Sequence, residues 1–491
     1  MKVTSSFLLY VYVSKVSRLV LVSAAALAAV IATGCGSSAT QAPIANTAVT
    51  VMPSSTANDQ LSQFGVVFSS ITLTSKSGKT VNLLSAPQGA EFIHLNGTAE
   101  PLLTVNVPQD VYTAATATVS LGQTELTCVS ILPAGGGLQT SEFGDNGSTP
   151  SATVTLPSPI TITGTAMGLS LNLQVSQSAT LSSCSLIGAN YSITPTFTLT
   201  SATVSSPPTN VANGKDSGID GLLASVGATG NGFSLVTGDG ITLSLNTSGS
   251  TVYQGISGFS ALAAGMSVDM DAAVQTDGSL LATRIAVEDS DPTTPTVLSG
   301  PLLFVVDSEP ALLMSGREEQ GYLFPGPVWG AQNFSFGNAV FQTSGQFTNL
   351  QSLPFVASFG AANMFPGQNV YITSHALTFA PGPTYYVAAT VTLIPQTING
   401  TINEISTDGS FTTYDVTLAS YDLIPALAVQ PGQTSVLTDP SNVVVYVDSN
   451  TQLLNTQTLA VGSVMRFNGL IFNNNGTASM DCGQVNDGVA E

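Results

Sequence analysis

Residues 219–289 and 397–486 carry one pattern twice, and a chain that repeats a unit of this length must stack copies of one small fold. In the first copy, strand-like runs at 221–226, 233–236, 241–245 and 251–253 precede Leu262-Ala263-Ala264-Gly265-Met266-Ser267-Val268. It closes on Asp277-Gly278 and a run to Val287. The last copy has runs at 400–405, 414–418 and 443–447, then Leu459-Ala460-Val461-Gly462-Ser463-Val464, then Asn475-Gly476 and a run to Val485. From turn glycine to closing valine the spacing is nine in both. Residues 297–395 read as a diverged middle copy, keeping Ser299-Gly300, Met364 to Val370 around Gly367, and 388–393. An Asp-Gly or Asn-Gly turn joining the last two runs is a hairpin signal. Five strands with a crossing element before the fourth suit a small barrel of the OB type.

The expected fold class is therefore all-β: an N-terminal β-sandwich followed by three small OB-like barrels at 219–290, 297–395 and 397–487. The sandwich is expected over 61–203. Short strand-like runs there (64–73, 80–84, 91–95, 102–107, 114–121, 152–156, 160–163, 169–175, 191–200) alternate with Gly, Pro and Asn punctuation. Residues 204–218 are a linker by composition, and 35–60, rich in Ser, Thr, Ala, Asn and Pro, read as a flexible tether. The stretch 64–118, with Asn82-Leu83-Leu84 and the Pro108-x-x-x-Tyr112 turn, resembles an uncharacterised domain family near the N-terminus of bacterial envelope lipoproteins. The repeat unit resembles a second uncharacterised family, of short repeated domains in envelope lipoproteins. Both resemblances imply a location and a fold, not an activity.

The N-terminus points the same way. Lys15 and Arg18 precede an apolar run at 19–32, too short to span a bilayer, and Thr33-Gly34-Cys35-Gly36 follows. This layout resembles the lipobox of bacterial lipoproteins. The resemblance implies a signal peptide at 1–34, a lipid-carrying Cys35 and, with Gly36 next, delivery to the outer membrane. An uncleaved anchor and ordinary secretion are the alternatives. Several acyl chains would hold such a protein stably on a membrane.

Charged residues make up 8% of the chain, against about 25% in an average globular protein, so Ser, Thr, Asn and Gly must supply the polar surface. Residues 1–34 hold three of the nine basic residues and none of the 29 acidic ones. The remainder repels nucleic acid, which is excluded as a partner. The partners expected are the membrane, through the lipid, and a polysaccharide or another envelope protein.

Catalytic chemistry is hard to find. His94 and His375 lie in separate modules within strand-like runs, and ordinary strand residues fit them better than general bases. No nucleophile elbow, zinc-binding helix motif, P-loop or dinucleotide loop is present, and no cofactor is expected. Calcium candidates are Asp269 with Asp271, two apart on one strand face, and Glu288, Asp289 and Asp291 at the end of the first repeat. Solvation of a strand end is the plainer reading of that group. Tyr322, Phe324 and Trp329, with Phe334, Phe336 and Phe341, form the one aromatic cluster: a sugar-stacking platform or a core. Cys128 and Cys184 are expected to pair as a disulfide in an oxidising compartment, with two separate thiols as the alternative, and Cys482 is left over. The function expected is non-enzymatic, structural or binding. Its rival is a carbohydrate-binding or glycan-active protein, calcium-dependent or not.

Overall fold

Alternating apolar and hydroxyl-bearing residues set the strands. Gly232–Thr237 buries Phe233, Leu235 and Thr237, while Thr242–Asn246 buries Leu243 and Leu245 and exposes Thr242, Ser244 and Asn246. The computed structural model describes residues 45–56, 61–93, 95, 99–131, 138–144, 151–181, 191–202, 219–228, 230–237, 240–275, 277, 279–290, 296–306, 311–316, 318–320, 330–378, 385–419, 422–427, 436–453 and 459–488. The fold is all-β, as expected, with several sheets and barrel-like repeats.

In the first domain eight strands form one hydrogen-bonded path, three more pair off it, and Ala179–Leu181 with Tyr191–Ile193 form a separate pair. The path runs Thr80–Asn82, Leu61–Ser75, Val111–Ile131, Ser151–Thr155, Thr196–Ala202, Ala166–Leu173, Asn46–Ser55, Leu103–Pro108. Phe68 and Phe197 sit three steps apart on that path, roughly 14 Å across a flat sheet. Their ring centroids are 5.3 Å apart, so the sheet folds over and its two halves face each other. Phe92 completes the aromatic cluster, 5.5 Å from Phe197. The Pro108-x-x-x-Tyr112 turn has a physical basis: the buried Tyr112 hydroxyl donates to the Pro108 carbonyl at 2.9 Å.

One sequence reading is corrected. Residues 46–55 fall within the expected tether, but Asn46–Ser55 is a largely buried strand, parallel to Ala166–Leu173 and antiparallel to Leu103–Pro108. Val49 and Val51, two apart and so on one face, enter the core, and Thr47 and Thr50 are fully buried as well. The Ser- and Pro-rich flanks hide it in any composition average.

The three repeats share one topology. In the first, Ile219–Val226 pairs with Gly232–Thr237 and with Ser267–Val274, Gly232–Thr237 with Thr242–Asn246, and Ser267–Val274 with Leu280–Asp289. A parallel pairing of Thr242–Asn246 with Leu280–Asp289 closes the ring. Strand order 1-2-3-5-4-1 with the third and fifth parallel is the OB arrangement. The middle repeat closes the same way through Gly330–Ser335 and Tyr385–Leu393, and the last through Asn442–Val447 and Thr477–Asp487.

The irregularities repeat as well. Each first strand carries one extra residue (Ala224, Leu303, Asn403), each fifth strand carries one at an equivalent place (Thr283, Ala389, Gly483), and the first barrel's fifth strand carries a second at Glu288. Gly265, Gly367 and Gly462 all have left-handed φ, at 90°, 91° and 87°. Each donates its N–H to the first strand, to the carbonyls of Leu223, Leu302 and Ile402, and those three residues donate back one position further on. The glycine lets the crossing segment turn into the fourth strand while both bonds form.

The modules are joined by close contacts. Gln368 donates to the Ile471 carbonyl at 2.8 Å, and Gln396 accepts from the Asn369 N–H and donates to the Gly367 carbonyl. Phe355 lies 5.0 Å from Tyr446 and 6.0 Å from Phe472 of the last repeat. Val49 of the first domain and Ile285 of the first barrel belong to one continuous apolar core.

Candidate functional site

Among the described residues, a dense polar cluster lies on the outer face of the first barrel's last hairpin. Val268 and Met270 point into the barrel, so Ser267, Asp269 and Asp271 point out. On the fifth strand Leu280 and Ala282 face the core, and continued alternation would send Arg284 inward after them. The extra residue Thr283 resets the alternation. Ile285 takes the core position, and Arg284, Ala286 and Glu288 face outward with the aspartates.

Arg284 is 1% exposed and lies between the two aspartates. Its Nε donates to Asp271 Oδ2 at 2.8 Å and its Nη2 to Asp269 Oδ2 at 3.0 Å and Asp271 Oδ1 at 3.2 Å. Burial opposes the guanidinium's charge, but Asp269 and Asp271 outweigh it and hold the group above its ordinary range. The second barrel covers this face with neutral donors. Ser344 Oγ donates to Asp269 Oδ2 at 3.0 Å, and Gln346 Nε2 to Asp271 Oδ1 at 3.3 Å. Gln342 Nε2 and Thr392 Oγ1 both donate to Glu288 Oε2, at 2.7 and 2.6 Å. Thr373 donates to Asp289 at 2.9 Å, and Ser267 shares a 2.6 Å bond with Tyr371. Burial, then the Asp269 carboxylate, pushes the Glu288 carboxyl up to about 7, against the pull of the two hydrogen bonds and Arg284.

The calcium candidates thus take structural positions. Asp269 and Asp271 are on one face, as their spacing predicts, but the cation between them is Arg284. Glu288 and Asp289 are adjacent but bond different partners, and Asp291 lies outside the described residues. Among the described residues no three His, Cys, Asp or Glu side chains converge in a way that could hold a metal ion. Sequence reasoning missed Arg284 and the whole covering set Gln342, Ser344, Gln346 and Thr392. The available signal was an arginine inside the apolar run Leu280-Leu281-Ala282-Thr283-Arg284-Ile285-Ala286-Val287, which implies a buried partner.

Of the aromatic cluster, Phe334 is fully buried and stacks on Tyr386 at 5.3 Å, and Phe336 meets Phe341 edge-on at 5.8 Å; Phe334 and Phe336 belong to the core, and the partly buried Phe341 packs against it. Tyr322, Phe324 and Trp329, like Cys35, Cys184 and His94, lie outside the described residues. Cys128 is in Val111–Ile131, opposite Leu61 and Ser141, and His375 is in Asn369–Thr378. Cys482 occupies the fifth-strand core position that Ala282 holds in the first barrel. Thr451 bonds its carbonyl at 2.8 Å as Thr251 bonds that of Ala282 at 2.7 Å.

A groove of about 540 Å³ opens between the first domain and the first barrel, lined among others by Gln88, Leu103, Thr104, Thr242, Ser244 and Leu280. None of its twelve lining residues is charged or aromatic.

Residues 220–286 match a family model, DUF5666, a domain of unknown function. The match covers the first barrel's five strands nearly end to end and includes Asp269, Asp271 and Arg284, but stops short of Glu288. None of the curated proteins compared with the chain matches it.

Proposed function

We propose that this is a non-enzymatic, lipid-anchored protein of the bacterial outer membrane, with a structural or adhesin-like binding role. One observation carries the reading: the acidic groups best placed for chemistry are spent on joining two modules. Asp269 and Asp271 hold Arg284, and Glu288 is capped by Gln342 and Thr392. A general acid or a calcium site needs carboxylates that can reach a ligand. The anchor rests on the lipobox-like order ending at Cys35. Repeated β modules with no converged metal site among the described residues suit display, bridging or contact.

The groove supports a second reading. Its hydroxyl and amide groups, without charge, suit a neutral ligand, and in an envelope that chemistry belongs to polysaccharide. One pair of measurements tests both readings. Labelled palmitate should enter the protein and be lost in Cys35→Ala; a Cys35→Ala protein that still labels removes the anchor. A glycan array probed with the chain from Ala45, with and without calcium, should separate a structural role from a polysaccharide-binding one.

A further inference from the structure

We propose that the contact between the first and second barrels is proton-gated: it is closed while Glu288 is protonated and loosens when Glu288 ionises. This goes beyond anchoring and display, because it gives the array a condition under which it changes.

The geometry carries the proposal. Glu288 is the penultimate residue of the first barrel's last strand, where the chain leaves for the second barrel, and it is buried in their contact. On its own side the charged groups are Arg284 and Asp289 on the same strand and Asp269 and Asp271 on the neighbouring strand. The guanidinium is already matched by two carboxylates, so among the described side chains no positive charge remains for a third. The second barrel offers only neutral groups where side chains are described: Gln342, Ser344 and Gln346 from one segment, Tyr371 and Thr373 from Asn369–Thr378, and Thr390 and Thr392 from Tyr385–Leu393. The first barrel's crossing strand Val252–Gln254 adds Gln254, also neutral. Ionising Glu288 therefore adds an unmatched negative charge beside Asp269 in a dry contact.

When the barrels part, water reaches the carboxyl and it titrates near its ordinary value. The closed state holds the proton more tightly, with the carboxyl raised from 4.5 to about 7. Closure is therefore favoured below the ordinary value and weakens as pH rises through about 7. The proton leaves to solvent, and no other group need change.

The test is hydrogen–deuterium exchange on the intact chain in detergent from pH 5 to 8, corrected for intrinsic exchange. Protection of Ser267–Val274, Leu280–Asp289 and Val340–Thr343 should fall about tenfold or more across the range. Val464–Asn474 of the last barrel should not change. Glu288→Gln, which keeps the shape and cannot ionise, should stay protected at every pH. A flat wild-type profile overturns the proposal without any variant, and so does a Glu288→Gln profile with the wild-type slope. Should that variant not fold, Thr392→Val removes a hydroxyl that favours the ionised form. It should move the midpoint to higher pH, and an unmoved midpoint overturns the proposal.

Discussion

Arg284 is one of six basic residues after position 34, and it is spent in a dry contact between modules. Removing a guanidinium and two carboxylates from water costs several kcal/mol per ion, recovered only with good geometry and satisfied hydrogen bonds. Both conditions hold: three short bonds run from Arg284 to the aspartates, and Ser344 and Gln346 bond the carboxylates from outside. Breaking the set should therefore cost more than the set contributes. Arg284→Ala leaves two buried carboxylates without a counter-charge, and urea unfolding should show a loss of about 3–5 kcal/mol. A loss under about 1 kcal/mol would mean that water already reaches the site. The spacing of Asp269 and Asp271 was legible because period two is local. Arg284 was not, because its direction depends on the extra residue Thr283, which follows from pairing across the hairpin.

At the scale of elements, the repeat was legible wherever local chemistry forces the backbone. Asn475 (φ 50°) and Gly476 (φ 93°) form the two-residue turn that the dipeptide predicts, with Asn474 opposite Thr477. Gly462 has no atom within 4 Å of an added Cβ, so Gly462→Ala should cost only backbone strain, about 1–2 kcal/mol. At Gly400 an added Cβ would run into the Thr417 carbonyl, so Gly400→Ala must shift a strand and should cost more. Thermal melts of the two variants check this order, and equal losses would refute it. Asn46–Ser55 was hidden for the opposite reason. Its place depends on Ala166–Leu173 and Leu103–Pro108, more than 40 residues away, and nothing local demands it.

For the whole molecule, the sequence suggests modules hung in series, and the structure joins them. Glutamines and Phe355 bind the second and third barrels, and the ion cluster binds the first and second. Such contacts were illegible because they pair outward-facing residues from different repeats, which no periodicity within one repeat reports. Joining by polar groups also explains how a chain with so few charges keeps four carboxylates close together: one is beside water and three are enclosed.

The role assigned to these acidic residues is to join the modules. Its most direct test is hydrogen exchange across a urea series at pH 6 on the chain from Ala45. Ser267–Val274 and Tyr385–Leu393 should lose protection at one urea concentration in the wild type and at two well-separated concentrations in Arg284→Ala. Separate midpoints in the wild type, or a shared midpoint that survives the loss of Arg284, would contradict it.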